Sequence, residues 1–208
     1  MKILQLCKKF PYPLKDGEAI AVTYLARAFA DLGSDVTLLS MNTSKHWYDL
    51  NDLPPDFKHY ADVHEVYVYN HIRPLGALRN LMTRKSYHVE RFEDPAFAAK
   101  LAELLQKEQF DVVQLESVYL APYIPVIRQN SSAIVSLRAH NVEHEIWERV
   151  AANSLPFKKL YLKTITPRLK RYEVDRLNDY DIVVAISERD VAQFRQLGLK
   201  KPAVFFPI

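Results

Sequence analysis

Apolar residues along this chain gather in short continuous runs rather than in strict alternation. The runs Ile3–Cys7, Asp35–Ser40, Val63–Tyr69, Asp111–Glu116, Ala133–Leu137, Ile182–Ile186 and Ala203–Phe206 are rich in Ile, Val, Leu and Tyr. Runs of this length read as strands covered on both faces. Between them the spacing changes. Residues 19–32, AIAVTYLARAFADL, are apolar at helical intervals and stop at Gly33, a natural helix end. Residues 95–109 begin with a proline in the first turn, and residues 187–198 open on a serine cap and close on a glycine. This alternation predicts an α/β fold: a Rossmann-like, doubly wound, mainly parallel sheet of about seven strands, with helices on both faces.

Two stretches depart from the pattern. Residues 42–60 are polar with paired prolines and read as a long loop, whereas 70–94 are basic and irregular, one short helix plus loop. Insertions of this length are often functional. The chain stops directly after its last strand run, which leads us to expect more protein beyond Ile208.

Composition narrows the class without naming the function. The chain has 208 residues, 49% of them hydrophobic and 25% charged, enough for one sizeable core in residues 1–208. It has no apolar run of membrane-spanning length, and Lys8 and Lys9 interrupt the apolar start that a signal peptide would need. A single cysteine, Cys7, sits inside a strand run, where it reads as a small buried hydrophobe in a reducing compartment. These features predict a cytoplasmic location, to which the basic stretch 156–176 adds peripheral contact on the inner face of the membrane as one of two readings. The net charge of +3 is mild but uneven, because residues 156–176 carry seven Lys or Arg against one Glu and one Asp. No nucleic-acid-binding motif accompanies them. Interleaved with Phe157, Tyr161 and Tyr172, they could touch anionic lipid headgroups, or be a solvated helix face.

Four glycines leave little room for nucleotide-binding loops, and neither a P-loop nor a G-x-G-x-x-G pattern is present. Gly17 lies between the first strand and the first helix, where backbone can approach a ligand and a helix start offers N–H groups to an anion. Asp16 and Glu18 beside it oppose that charge. The densest ionisable stretch is SLRAHNVEHEIWE, residues 136–148. His140, Glu143 and His144 spell H-x-x-E-H, a zinc-peptidase spacing. That reading needs both histidines on one helix, yet His140 ends a strand and Asn141 is a good helix cap. The alternative is ligand binding at strand ends. Glu116 and Ser117, His140 and Asn141, and Ser187 and Glu188 each follow a strand, and such ends converge on one crevice in an open parallel sheet. A histidine and carboxylates there suit a hydroxyl-rich ligand. The plainest reading of His140 is a satisfied histidine at a helix start.

KFPYPLKDGEAIAVTYLARAFADLGSDVTLLS, FDVVQLES, LRAHNVEHEIWERVA and DIVVAISERDVAQF together resemble the amino-terminal domain of glycosyltransferase family 4. The resemblance covers nearly the whole chain in order. It implies one half of a GT-B enzyme, with retaining transfer of a sugar from a nucleotide-sugar donor to a glycan or lipid-linked acceptor, without a metal or other cofactor. In such enzymes this half binds the acceptor and supplies a histidine near the transferred sugar, a place matched by His140. The family's first loop usually carries two adjacent glycines near the donor phosphates, where this chain has Gly17 and Glu18. The donor motif belongs to a carboxyl-terminal domain not contained in these residues, so the isolated chain is expected to be inactive. A non-enzymatic Rossmann-like binding module and a zinc hydrolase are the competing readings.

Overall fold

A computed structural model describes residues 1–207 except 56, 72, 73 and 84, with backbone alone for 74, 75, 77 and 78. Seven strands form one sheet: β1 (Lys2–Cys7), β2 (Asp35–Thr43), β3 (Asp62–Val68), β4 (Val112–Leu115), β5 (Ile134–Ala139), β6 (Ile182–Ala185) and β7 (Ala203–Phe205). Their order is β3-β2-β1-β4-β5-β6-β7, and every neighbouring pair is parallel. The direction of winding reverses between β1 and β4. That reversal opens a crevice at the carboxyl ends of these two strands.

The continuous apolar runs follow from this layering. In β2, Val36 and Leu38 belong to one buried cluster, while Leu39 and Met41 belong to another on the opposite face. The first cluster is closed by Val22 and Ala26 of α1 (Gly17–Asp31). The second, larger one takes side chains from further helices. Because both faces are covered, strand positions of either parity must be apolar.

Two departures from the sequence pattern stand out. The stretch 42–60 is packed down rather than loose. β2 runs on to Thr43, a 3₁₀ turn spans Leu50–Asp52, and Phe57 and Tyr60 are buried beside Phe10. Residues 70–94 hold two short helices instead of one, α2 (Pro74–Leu81) and α3 (Tyr87–Glu90). The remaining helices are α4 (Pro95–Lys107), α5 (Ile124–Asn130), α6 (Glu143–Ala152), α7 (Pro156–Arg176) and α8 (Glu188–Gln196). Proline opens α4 with Asp94 as its cap, Ser187 caps α8, and Gly33 and Gly198 adopt positive φ of 80° and 103° just past their helices. Cys7 is buried.

Candidate functional site

Strand ends bring two of the predicted residues, Glu116 and His140, together. Glu116 follows β4 and is fully buried, and His140 follows β5 at 8% exposure. His140 Nε2 lies 3.0 Å from Glu116 Oε2. The other carboxylate oxygen accepts from Gln5 Nε2 at 2.6 Å and from Gln114, and Gln5 in turn accepts from the Tyr60 hydroxyl at 2.9 Å. Burial works most strongly against a charged Glu116. The hydrogen bond from His140, the nearby Arg138 and the His140 charge outweigh it and hold its pKa below the ordinary carboxylate value. An ionised carboxylate can only accept, so Nε2 of His140 carries the proton. Nδ1 is buried and has no partner among the described residues.

Glu18 faces the same crevice and is paired. Lys8 Nζ donates to Glu18 at 2.6 Å, and Lys9 Nζ donates to Asp16 at 2.6 Å and approaches Glu18 at 3.5 Å. Burial again opposes the charge on Glu18, and the two lysines, with His140 further off, hold its pKa down. The expected opposition to an anionic ligand therefore does not arise from Asp16 and Glu18 alone, because two cations from the end of β1 balance two anions. Asp16 is also the cap of α1, accepting from Ala19 N–H at 3.0 Å. A side chain built on Gly17 would meet no atom within 4 Å, so packing does not demand glycine there.

Glu143 stands at the first turn of α6, where it accepts from the Tyr119 hydroxyl at 2.9 Å; Trp147 Nε1 donates to the same hydroxyl at 2.9 Å. Burial raises the Glu143 pKa, against the pull of Lys8 and the Tyr119 bond. Lys8 also lies over the Tyr119 ring, 5.6 Å from its centroid. Lys8 thus links the Glu18 group to the Glu143 group.

The other predicted residues have different tasks. Ser117 caps the 3₁₀ turn Val118–Tyr123, with Tyr119 N–H 3.4 Å from its oxygen. Ser187 caps α8 through Asp190, and Glu188 is exposed. Asn141 is exposed and does not cap α6. The capping position is Val142, and Glu173 of α7 accepts instead from the N–H groups of Glu143 at 3.0 Å and His144 at 3.3 Å. Glu173 also bonds His144 Nδ1.

This arrangement divides H-x-x-E-H. His140 lies outside the helix on Glu116, and His144 lies inside it on Glu173. Among the described residues, no group of three His, Cys, Asp or Glu is arranged to hold a metal ion.

Lys8, Lys9, Tyr119, Trp147 and Glu173 were not singled out by sequence reasoning. The two lysines follow a strand just as Glu116 does, so the rule that found Glu116 applies to them equally. Hollows also lie away from this cluster. One of about 470 Å³ sits between α3 and α7, lined by Lys85, Arg168 and Tyr172 among others.

The profile of Glycosyltransferase Family 4 matches residues 16–207. No curated protein sequence matches the chain. Among solved structures, sucrose-phosphate synthase from Thermosynechococcus elongatus is similar over 100% of this chain and 48% of its own, at 16% identity and TM-score 0.58. UGT2 from Phytolacca americana, complexed with UDP-2-fluoro-glucose and pterostilbene, is similar over 97% of this chain and 52% of its own, at 10% identity and TM-score 0.53. Os79 from O. sativa, in complex with UDP, is similar over 98% and 51%, at 16% identity and TM-score 0.51. The chain thus spans about half the length of each. At these identities the likeness concerns the fold.

Proposed function

The chain belongs to glycosyltransferase family 4, and from that premise we propose that it is the acceptor-side half of a retaining glycosyltransferase. The donor is a nucleotide sugar, the acceptor a glycan or lipid-linked glycan, and the transfer needs no metal. A second Rossmann-like unit supplies the opposite wall of the cleft and most of the donor contacts, so this half alone turns over nothing. Two of the fold relatives were crystallised with UDP or a UDP sugar, which makes uridine nucleotides the first donors to try.

One observation carries the reading: His140 at the end of β5, clamped through Nε2 by the buried, ionised Glu116, with Nδ1 unpartnered among the described residues. A ring held in this way can offer Nδ1 to a sugar hydroxyl without first giving up a bond in the protein. A contact of fixed direction, strengthening as charge develops on the sugar, lowers the barrier. Gly17 and the start of α1 leave open space where donor phosphates can approach, and the Lys8–Lys9 pair offsets the neighbouring acids.

The test is nucleoside diphosphate release from a panel of nucleotide sugars, on the natural polypeptide carrying this chain. His140→Ala should lower turnover on the order of 10²–10³-fold with the fold intact by circular dichroism. Glu116→Gln should lower it less, because the ring keeps a hydrogen-bond partner but loses the anion that orients it. Unchanged turnover in His140→Ala would end this assignment.

A further inference from the structure

The basic segment 156–176 is a single helix, α7, and the structure sorts its charges. Arg168 donates to the carbonyls of Asn80 at 2.8 Å and Leu81 at 3.1 Å. Arg176 is paired with Asp179 at 2.9 Å, and Arg171 approaches Asp175 at 3.6 Å. Tyr161 and Tyr172 are half-buried. Apart from the exposed Lys170, the cations of the carboxyl-terminal half are therefore engaged within the molecule. At the beginning of the segment Lys159 donates to the Ala152 carbonyl at 3.2 Å, while Lys158 and Lys163 stand exposed. The inward face of α7 packs Leu162 and Ile165 against Ala151, whereas Leu155, Phe157 and Leu160 stand 80%, 93% and 70% exposed. Lys158, Lys159 and Lys163 alternate with them, and no acidic residue occurs from position 149 to 172. One carboxylate, Glu148, borders the hollow that Lys159 and Lys163 line between α6 and α7.

We propose that the α6–α7 turn and the first two turns of α7 dock on an anionic lipid bilayer. Leu155, Phe157 and Leu160 enter the boundary between headgroups and acyl chains. Lys158, Lys159 and Lys163 reach back from the same turns to the phosphates, their methylene stems lying along the apolar surface. The occupant follows from the mixture of side chains. A protein partner would have to bury three lysines among the apolar contacts, and the cores of protein interfaces are depleted in lysine. An anionic membrane receives both kinds of side chain at their own depths. The surface lies outside the His140 cluster and does not rest on the transferase reading.

Co-sedimentation of the chain with vesicles tests it, using phosphatidylcholine alone and phosphatidylcholine mixed with phosphatidylglycerol. Binding is expected to the mixed vesicles only, and to vanish at high salt. Phe157→Ser with Leu160→Ser should weaken it about tenfold or more. Replacing Lys158, Lys159 and Lys163 by Gln should weaken it on the order of a hundredfold. Lys200→Gln with Lys201→Gln, which removes exposed charge elsewhere, should leave it unchanged. A Phe157→Trp variant should shift its emission to the blue on adding mixed vesicles. The proposal is overturned by absence of binding at low salt, by equal binding to neutral vesicles, by indifference to Phe157→Ser with Leu160→Ser, or by equal loss in the Lys200 and Lys201 variant.

Discussion

His88 shows what burial does to a proton. Its ring packs on Trp147 with centroids 4.0 Å apart, and its Nε2 has no partner among the described residues. Burial, assisted by Arg91, pushes its pKa down from 6.5 to about 4. The unfolded chain takes up this proton below pH 6.5, whereas the folded chain takes it up only near pH 4. Stability from this group is therefore complete above pH 6.5 and is lost as pH falls toward 4. By pH 5 the loss is about 2 kcal/mol. Urea midpoints measured from pH 7 to pH 5 should show it, and His88→Phe, which keeps a ring on Trp147, should flatten the slope; an unchanged slope would discard the idea. Single residues of this kind were only partly legible in the sequence. His140 and Glu116 were visible because strand ends are predictable positions. The pairing of Lys8 with Glu18 was not, because it joins residues ten apart across a loop whose path only the packed fold sets.

At the scale of elements, α6 is held by a neighbour rather than by its own sequence. Val142 offers no side-chain cap, and Glu173, thirty residues on, accepts both leading N–H groups and the His144 ring. His144 and Glu173 are 1% and 3% exposed. Removing one member of a buried pair strands the other, so Glu173→Ala should cost about 3–5 kcal/mol. Hydrogen exchange at the Glu143 and His144 amides should accelerate with it. Arg171→Ala, breaking an exposed pair on the same helix, should cost less than about 1 kcal/mol. Comparable losses in the two variants would remove Glu173 from this role. His144→Ala should likewise lower thermal stability more than turnover. Helix capping is normally read from the residue just before the helix, which is why Asn141 drew attention and Glu173 did not. Similarly, residues 70–94 hid two short helices, since α3 is a single turn with no room for helical periodicity to show.

At the scale of the molecule, the sheet was the most legible feature. Strands buried on both faces must be apolar throughout, and that pattern survives without knowledge of which strands pair. The pairing itself left no local mark. β1 lies inside the sheet, third of the seven strands, with Ile3 beside Val36 on one edge and beside Val112 on the other. This arrangement has a consequence for synthesis. The ribosome delivers β1, β2 and β3 first, so the inner edge of β1 waits unpaired until β4 emerges. At the usual pace of translation, that wait lasts on the order of ten seconds. During it, a strand whose Ile3, Leu4 and Leu6 end at no more than 1% exposure presents bare backbone to any passing chain. A nascent fragment ending at residue 110 should accordingly be recovered in the insoluble fraction, whereas the whole chain should not; a soluble, monomeric fragment would show that some other contact shelters that edge. A strand that lines the finished crevice thus spends those seconds with one edge open to the cell.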